Sequence, residues 1–511
     1  MEIMDQRLLT TEGGPAVSTA SKGRIYYIDW MRVVAIYLVV VYHVVQGLTW
    51  VNFYKNVPGM LRFVESFRAS ALQIGMPMFF HISGRGQAVS PSMGLKKTFL
   101  RRAKRLLLPF VISYVLLIPP WQYIDEEYDW QQPGSMHMKE NPIGWLVGYW
   151  TTSEFLLKFD MAWLWFLPAL YLITVFSTPL FLLAEQYNSS RKDVQRRYCV
   201  VAFALWGSLA VCLLLCGFSP NFAFFSLLGP LSAVVVSHVV PLPIPATAAV
   251  AGNALSEPRT SALEMWLAYQ IYTLIQVASN IGLVLSFEYA QIDPPRADGA
   301  HNPRAAIPFF VLCLSFYIHG YFGQRWEEGS AVVQGQLSSW WLMLHKLLLA
   351  FVMLLIVMTS TPLGDVETGH YIYPIYSASY EGGAGFGAVY VLGTWAYIGV
   401  FTALFRAYCD EIGSPALYKH ATGSTMVVYI FHWVFVKIFA FWWLNPTLWR
   451  YSWIVRNAWV ALAVTLLALV VSVALSLSIY WLLLKTAKLA ELFGLEGSRI
   501  GASGSSSSSS S

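Results

Sequence analysis

Apolar runs recur along almost the whole chain and are separated by short polar intervals. A helix needs about 20 predominantly apolar residues to cross the hydrocarbon layer. Runs of that kind begin near Tyr27, Phe67, Leu106, Met161, Cys199, Phe222, Met265, Ile307, Trp340, Ala388, Ser424 and Ala458. The pattern predicts an all-α polytopic membrane protein, a bundle of about 10–12 transmembrane helices. The segments near Phe222, rich in Gly and Pro, and near Ile307, which is short, carry the weakest pattern. Residues 25–484 form the expected transmembrane domain, between a polar tail over 1–24 and a second tail over 485–511 that ends in a low-complexity serine run. The first tail lacks the short apolar stretch of a cleavable signal, so the first span is expected to serve as an uncleaved anchor.

Charge in the intervals orients the bundle, because Lys and Arg resist translocation. Between the second and third runs stand Lys96, Lys97, Arg101, Arg102, Lys104 and Arg105, with no acid. The next interval carries Asp125, Glu126, Glu127, Asp129, Glu140, Glu154 and Asp160 against Lys139 and Lys158, and Arg191, Lys192, Arg196 and Arg197 follow the fourth run. This alternation predicts that both termini are cytoplasmic. The sequon Asn188-Ser189-Ser190 then faces the cytosol and is expected to stay unglycosylated. The long aromatic and acidic intervals over 122–160 and 361–386 lie on the far side, as candidate lids or acceptor surfaces.

Composition agrees with the membrane reading. Only 12% of residues are charged and 56% are apolar, against roughly a quarter charged in ordinary globular chains. A net charge of +5, spread through the intervals, gives no basic patch for a nucleic acid. Cys199, Cys212, Cys216, Cys313 and Cys409 form no CxxC pair and read as small hydrophobes, not as a metal or disulfide framework.

The first apolar run contains side chains that are costly at membrane depth. Asp29 and Arg32 precede Val33 and His43 follows Tyr42. Ionisable groups within a span tend to face the bundle interior and to mark function. Arg32 and His43 are eleven residues apart, close to three full turns, so they share a helix face and stand roughly 16 Å apart along its axis. Asp29, three residues before Arg32, is placed to pair with it. Singly, each has a plainer reading: Arg32 snorkelling to lipid phosphate, His43 a hydrogen-bonded core residue.

Here the residues resemble a known family. The segment YYIDWMRVVAIYLVVVYH is similar to the opening helix of the acyltransferase 3 family, with its Arg-x10-His signature. MPMFFHISG resembles the second-helix Pro-x-Phe-Phe-x-x-Ser-Gly pattern, and FLRRAKRLLLPF the Arg-rich start of the third. WLWFLPALYL resembles the Trp-Phe-Leu helix, and VVYIFHWV the late Tyr-x-x-His helix. The resemblance is nearest to the branch that includes the glucan-modifying protein C, which moves succinyl groups to periplasmic glucans. His81 stands where the second-helix pattern is usually apolar, Arg85 directly follows Ser83-Gly84, and the span count exceeds the family's usual ten.

The resemblance implies transfer of an acyl group from cytoplasmic acyl-CoA to a hydroxyl of a carbohydrate or other acceptor at the extracytoplasmic face, with no metal. An alcohol needs a base, and an imidazole serves with little tuning, which assigns His43. Arg32 suits the donor's carbonyl or phosphates, or the developing oxyanion, with Asp29 fixing its rotamer. Arg101, Arg102 and Arg105 stand at the cytoplasmic mouth where coenzyme A phosphates enter, and the Arg-x-x-Arg spacing sets two guanidinium groups on one side of a turn. The same cluster also serves topology and anionic lipid. Ser83 and Gly84 are expected beside the donor, although packing explains such a pair as well. His432, Trp165, His81 and Arg85 are candidates for the substrate cavity, with Trp163 an interfacial ring beside it. His238, His319, His345 and Lys346 receive no role.

Two other classes stay open: a secondary transporter, for which about 12 spans is a common layout, and a catalytically silent relative. The stretch SGRGQAVSPSMGLKK superficially resembles the loop after the second span of such carriers but lacks its acid. No GxSxG elbow, His-Glu-x-x-His motif or Walker loop competes.

Overall fold

The computed structural model describes residues 25–51, 53–54, 57–90, 94–126, 142–151, 162–186, 192–240, 242, 261–286, 303–329, 347, 383–409, 414–444, 457–493 and 495. The span expected near Trp340, most of both acidic intervals, the sequon, His345, Lys346, the whole of the first tail and the end of the second lie outside them.

Among the described residues every regular element is a helix. The chain opens with α1 (Tyr26–Trp50) and α2 (Pro58–Ala88). Next come α3 (Leu95–Arg102), a π-helical turn at Ala103–Leu107 and α4 (Leu108–Glu126), which run on as one rod. The short α5 (Pro142–Thr151) precedes a 3₁₀ turn at Ala162–Trp165, which leads into α6 (Phe166–Gln186). Then follow α7 (Lys192–Leu215), α8 (Pro220–Val239), α9 (Ala262–Leu285) and α10 (Pro303–Gly329). After α11 (Gly383–Tyr408), α12 (Pro415–Lys437) continues into a second π-helical stretch, Ile438–Leu444. The chain closes with α13 (Ala458–Leu484) and α14 (Ala487–Leu492).

Eight helical segments are long and apolar enough to cross a bilayer: α1, the α3–α4 rod, α6 with its 3₁₀ turn, α7, α8, α9, α12 with the start of its π stretch, and α13. Among the described residues this is fewer than the 10–12 spans expected. The shortfall falls on α2, α10 and α11, which have the length, at 31, 27 and 26 residues. These three also carry the buried charges Arg85, Glu327 and Arg325 and the half-exposed Arg406. Each expected span except the one near Trp340 coincides with a long helix. The protein is therefore an integral, multi-pass membrane protein. Its outer helices turn apolar side chains outward, Val200, Phe203 and Leu215 on α7 and Trp459, Val470 and Leu482 on α13. In water that surface would be an interaction patch, and in lipid it is the ordinary exterior.

Two helix pairs position the interior. The first is α2 with α10, where backbones touch: a Cβ built on Gly84 would lie 2.0 Å from the Tyr317 carbonyl oxygen, and one on Gly320 2.1 Å from that of His81. Small residues permit such crossings in membranes. The second is α1 with α12. Asp29 meets Tyr418 and His43 meets His432, both at a sequence offset of 389, and Gly47 meets Val436 at the same offset. Equal offsets mean that the two helices run parallel and in register. The first and second of these rungs are fourteen residues apart on each helix, about 21 Å at 1.5 Å per residue. Helix α1 also packs on α2, α11 and α13, which places it at the centre of the bundle.

Candidate functional site

Helix α1 presents its polar stripe to the bundle and not to lipid. Arg32 Nη1 donates to Asp29 Oδ1 at 3.1 Å, and Asp29 Oδ2 accepts from the Tyr418 hydroxyl at 2.5 Å. The guanidinium lies against α2 at Gly86, where an ideal Cβ would be 3.0 Å from Nη2. The Arg32 side chain keeps 30% exposure, so a ligand at the mouth can still reach it. Three turns deeper, His43 is half-buried between Tyr42, Trp433 and His432. Its Nδ1 lies 2.6 Å from His432 Nε2, and with centroids 5.0 Å apart and planes 11° from parallel the two rings meet edge to edge.

The surroundings of His432 are built from aromatic residues. Trp163 of the 3₁₀ turn donates its indole N–H to the Ile430 carbonyl at 2.9 Å, and the Tyr429 hydroxyl donates back to the Trp163 carbonyl. Trp163, expected as an interfacial ring, is thus buried and bonded to α12, because its indole N–H finds a carbonyl there. The turn begins at Ala162 with φ of 41°, a left-handed conformation that costs a non-glycine residue of order 1–3 kcal/mol. The double link between Trp163 and α12 holds that strain. Trp165 is half-buried against Phe80 and Phe166, and Phe166 adjoins Tyr429.

At the other end of the stripe the basic cluster divides. Arg102 is half-buried and donates to Gln87 Oε1 at 2.5 Å, one residue beyond Gly86. Arg101 and Arg105 are exposed, and exposed Lys104 pairs with Glu491 at 2.5 Å. The expectation that Arg102 and Arg105 share one side of a turn is corrected here. The π-helical turn at Ala103–Leu107 widens the spacing between them. Arg32 and Arg102 instead reach adjacent residues of α2 from different helices.

Four expected residues go elsewhere. Gly84 is spent on the backbone crossing with α10, with buried Ser83 beside it. His81 and Arg85 are buried on the α10 side of α2, whereas Gly75 and Gly86 face α1. Arg85 donates to His81 Nε2 at 2.9 Å, to Gln324 Oε1 at 2.7 Å and to Glu327 Oε2 at 2.7 Å. Glu327 Oε1 accepts from Arg406 at 2.6 Å, and Tyr27 joins through Arg85 and Gln324. On the far side of His81, His319 lies at 3.5 Å and reaches Thr273 at 2.9 Å. This second polar assembly joins α1, α2, α9, α10 and α11 and is separate from the His43–His432 pair. Sequence reasoning passed over His319 and Glu327, although His319 is an ionisable residue within an apolar run, the signal that singled out His43, and Glu327 closes the same helix.

Among the described residues no group of three or more His, Cys, Asp or Glu is placed to hold a metal ion. One family model, described as an acyltransferase domain of the acyltransferase 3 type, matches residues 25–481. No curated protein and no solved structure matches the chain.

Proposed function

Because the chain belongs to the acyltransferase 3 family and is a membrane acyltransferase, we propose that it moves an acyl group from cytoplasmic acyl-CoA to a hydroxyl of a carbohydrate or similar acceptor at the extracytoplasmic face. The reading rests on one observation above the others: the imidazole of His43 turns inward to another imidazole at 2.6 Å instead of toward lipid. In this reaction the acceptor hydroxyl gives its proton to His43 while its oxygen attacks the thioester carbonyl carbon. A C–O bond forms and the C–S bond breaks. The departing thiolate then takes the proton from His43, so the base is restored and no net proton is consumed.

Arg32 supplies positive charge at the donor end of the stripe. It is held by Asp29, which Tyr418 holds in turn, and a guanidinium fixed in this way stabilises phosphate or a developing oxyanion without reorganising. Arg102, bonded to Gln87 one residue beyond Gly86, offers a second cation to the same anionic donor, with Arg101 and Arg105 exposed near it in sequence. The charge alternation of the intervals supports entry of the donor from the cytosol, with both termini on that side. The resemblance read from the opening segments to the glucan-modifying branch is the reason for naming a carbohydrate acceptor.

Proteoliposomes provide the test. Radiolabelled acetyl-CoA is supplied outside vesicles that enclose a β-glucan oligosaccharide, and free thiol and labelled oligosaccharide are measured together. The expected result is one thiol released per ester formed. Efflux of oligosaccharide without thioester consumption would identify a transporter instead, and neither signal would identify a silent relative.

A further inference from the structure

The histidine pair fixes its own proton positions. His432 Nδ1 lies 2.9 Å from the Val428 carbonyl oxygen, which only accepts, so that nitrogen carries the proton. The carbonyl has a second lone pair for the ordinary helical i→i−4 bond. A neutral His432 then offers a bare Nε2 to His43. The 2.6 Å contact requires His43 to donate from Nδ1, and the only nitrogen of His43 left with a lone pair is Nε2.

From this geometry we infer that His432 is the positioning residue of the base: it fixes His43 as the Nδ1–H tautomer and so makes Nε2 the atom that accepts the acceptor's proton. The inference rests on the reading of His43 as base and extends it. A base oriented by a third group through its other nitrogen is the general arrangement for activating a nucleophile, and here an imidazole takes the place usually held by a carboxylate. When Nε2 gains its proton, the bond from His43 Nδ1 to His432 becomes charge-assisted and strengthens at the moment the charge appears. No proton has to leave His432 during the cycle.

The setting of His432 fits this role. The residue is fully buried, its helix is tied to Trp163 at Tyr429 and at Ile430, and α12 is in register with α1 at Asp29 and at Gly47. Rotation of the His43 ring is limited by its in-plane bond to His432 and by Trp433 at 4.6 Å. Hydrogen-bond direction, near-coplanar rings and helix register all aim the His43 Nδ1–H at His432.

The test uses the full chain in lipid nanodiscs, with two readouts. Nitrogen-15 spectra of histidine-labelled protein are expected to show His43 protonated on Nδ1, and this tautomer to be lost in His432→Leu. In acetyl transfer from acetyl-CoA to octyl glucoside, His432→Leu is expected to lower kcat about 10²-fold with KM for acetyl-CoA unchanged. His432→Gln is expected to stay within about fivefold of the natural enzyme, because its amide oxygen sits as many bonds from Cβ as Nε2 and accepts from Nδ1–H. An Nε2–H tautomer in the unmodified protein overturns the inference, even if His432→Leu fails to fold. So does a folded His432→Leu enzyme with full kcat. A His43→Ala protein that remains active while the unmodified one shows the Nδ1–H tautomer would overturn the reading of His43 beneath it, which tells the two failures apart.

Discussion

Gly86 decides where the guanidinium of Arg32 rests. The Arg32 terminal nitrogen already lies 3.0 Å from the place a Cβ would take, so a branched side chain there displaces it. Gly86→Val is expected to cut transfer about tenfold or more while the thermal midpoint moves little, since misplacement near 1 Å costs up to about 10²-fold. Steady-state kinetics beside a thermal melt check it, and unchanged kinetics would show that the position of Arg32 is immaterial. Arg32, Asp29 and His43 were legible in the sequence because ionisable residues stand out in an apolar run, and helical periodicity put two of them on one face. Tyr418 and Gly86, which fix Arg32 in space, were not legible. A tyrosine near a span end and a glycine within a span are ordinary, and their meaning comes only from the helix that packs on them.

At the scale of elements, α2 carries two unrelated duties on opposite faces, one toward Arg32 and one toward α10. The second depends on Glu327, which holds Arg85 at 2.7 Å and Arg406 at 2.6 Å. The Arg85 side chain is only 2% exposed, so Glu327→Gln leaves a buried cation without its counter-charge, a loss of roughly 3–5 kcal/mol. Arg406, more than a third exposed, is screened, and Arg406→Ala should cost about 1 kcal/mol or less. Thermal unfolding in one detergent ranks the two, and equal losses would contradict the charge argument. The sequence showed Arg85 and His81 as departures from the family pattern but not their direction. That direction is set by the crossing of Gly84 with Gly320, a pairing of two distant glycines that no local pattern encodes. The π-helical turn within the Arg-rich segment was hidden for a similar reason. Its residues read as ordinary helix, and only the hydrogen bonds reveal the wider turn that separates Arg102 from Arg105.

For the whole molecule, the in-register pair α1 and α12 requires that the starts of both helices lie on one face of the membrane. The charge alternation predicts that this face is cytoplasmic. With Cys199, Cys212, Cys216, Cys313 and Cys409 replaced, Lys97→Cys and Ser414→Cys are expected to react with an impermeant maleimide from one side, and Asn221→Cys from the other. All three residues are exposed. Labelling of Lys97→Cys and Ser414→Cys from opposite sides would break the topology. The fold class and nearly every span were legible because lipid demands long apolar helices whatever their sequence. The register of α1 on α12, which creates the histidine pair, was not, because it is a relation between residues 389 apart.

The account turns on His43 as the group that takes the acceptor's proton, and a single-turnover experiment addresses that most directly. Enzyme saturated with radiolabelled acetyl-CoA is mixed with hydroxyl acceptor and quenched over time, for the natural protein and for His43→Ala. The account predicts that His43→Ala binds donor as well as the natural protein but forms ester about 10²–10⁴-fold more slowly, the usual contribution of a general base. Ester formation at the natural rate by His43→Ala would contradict it.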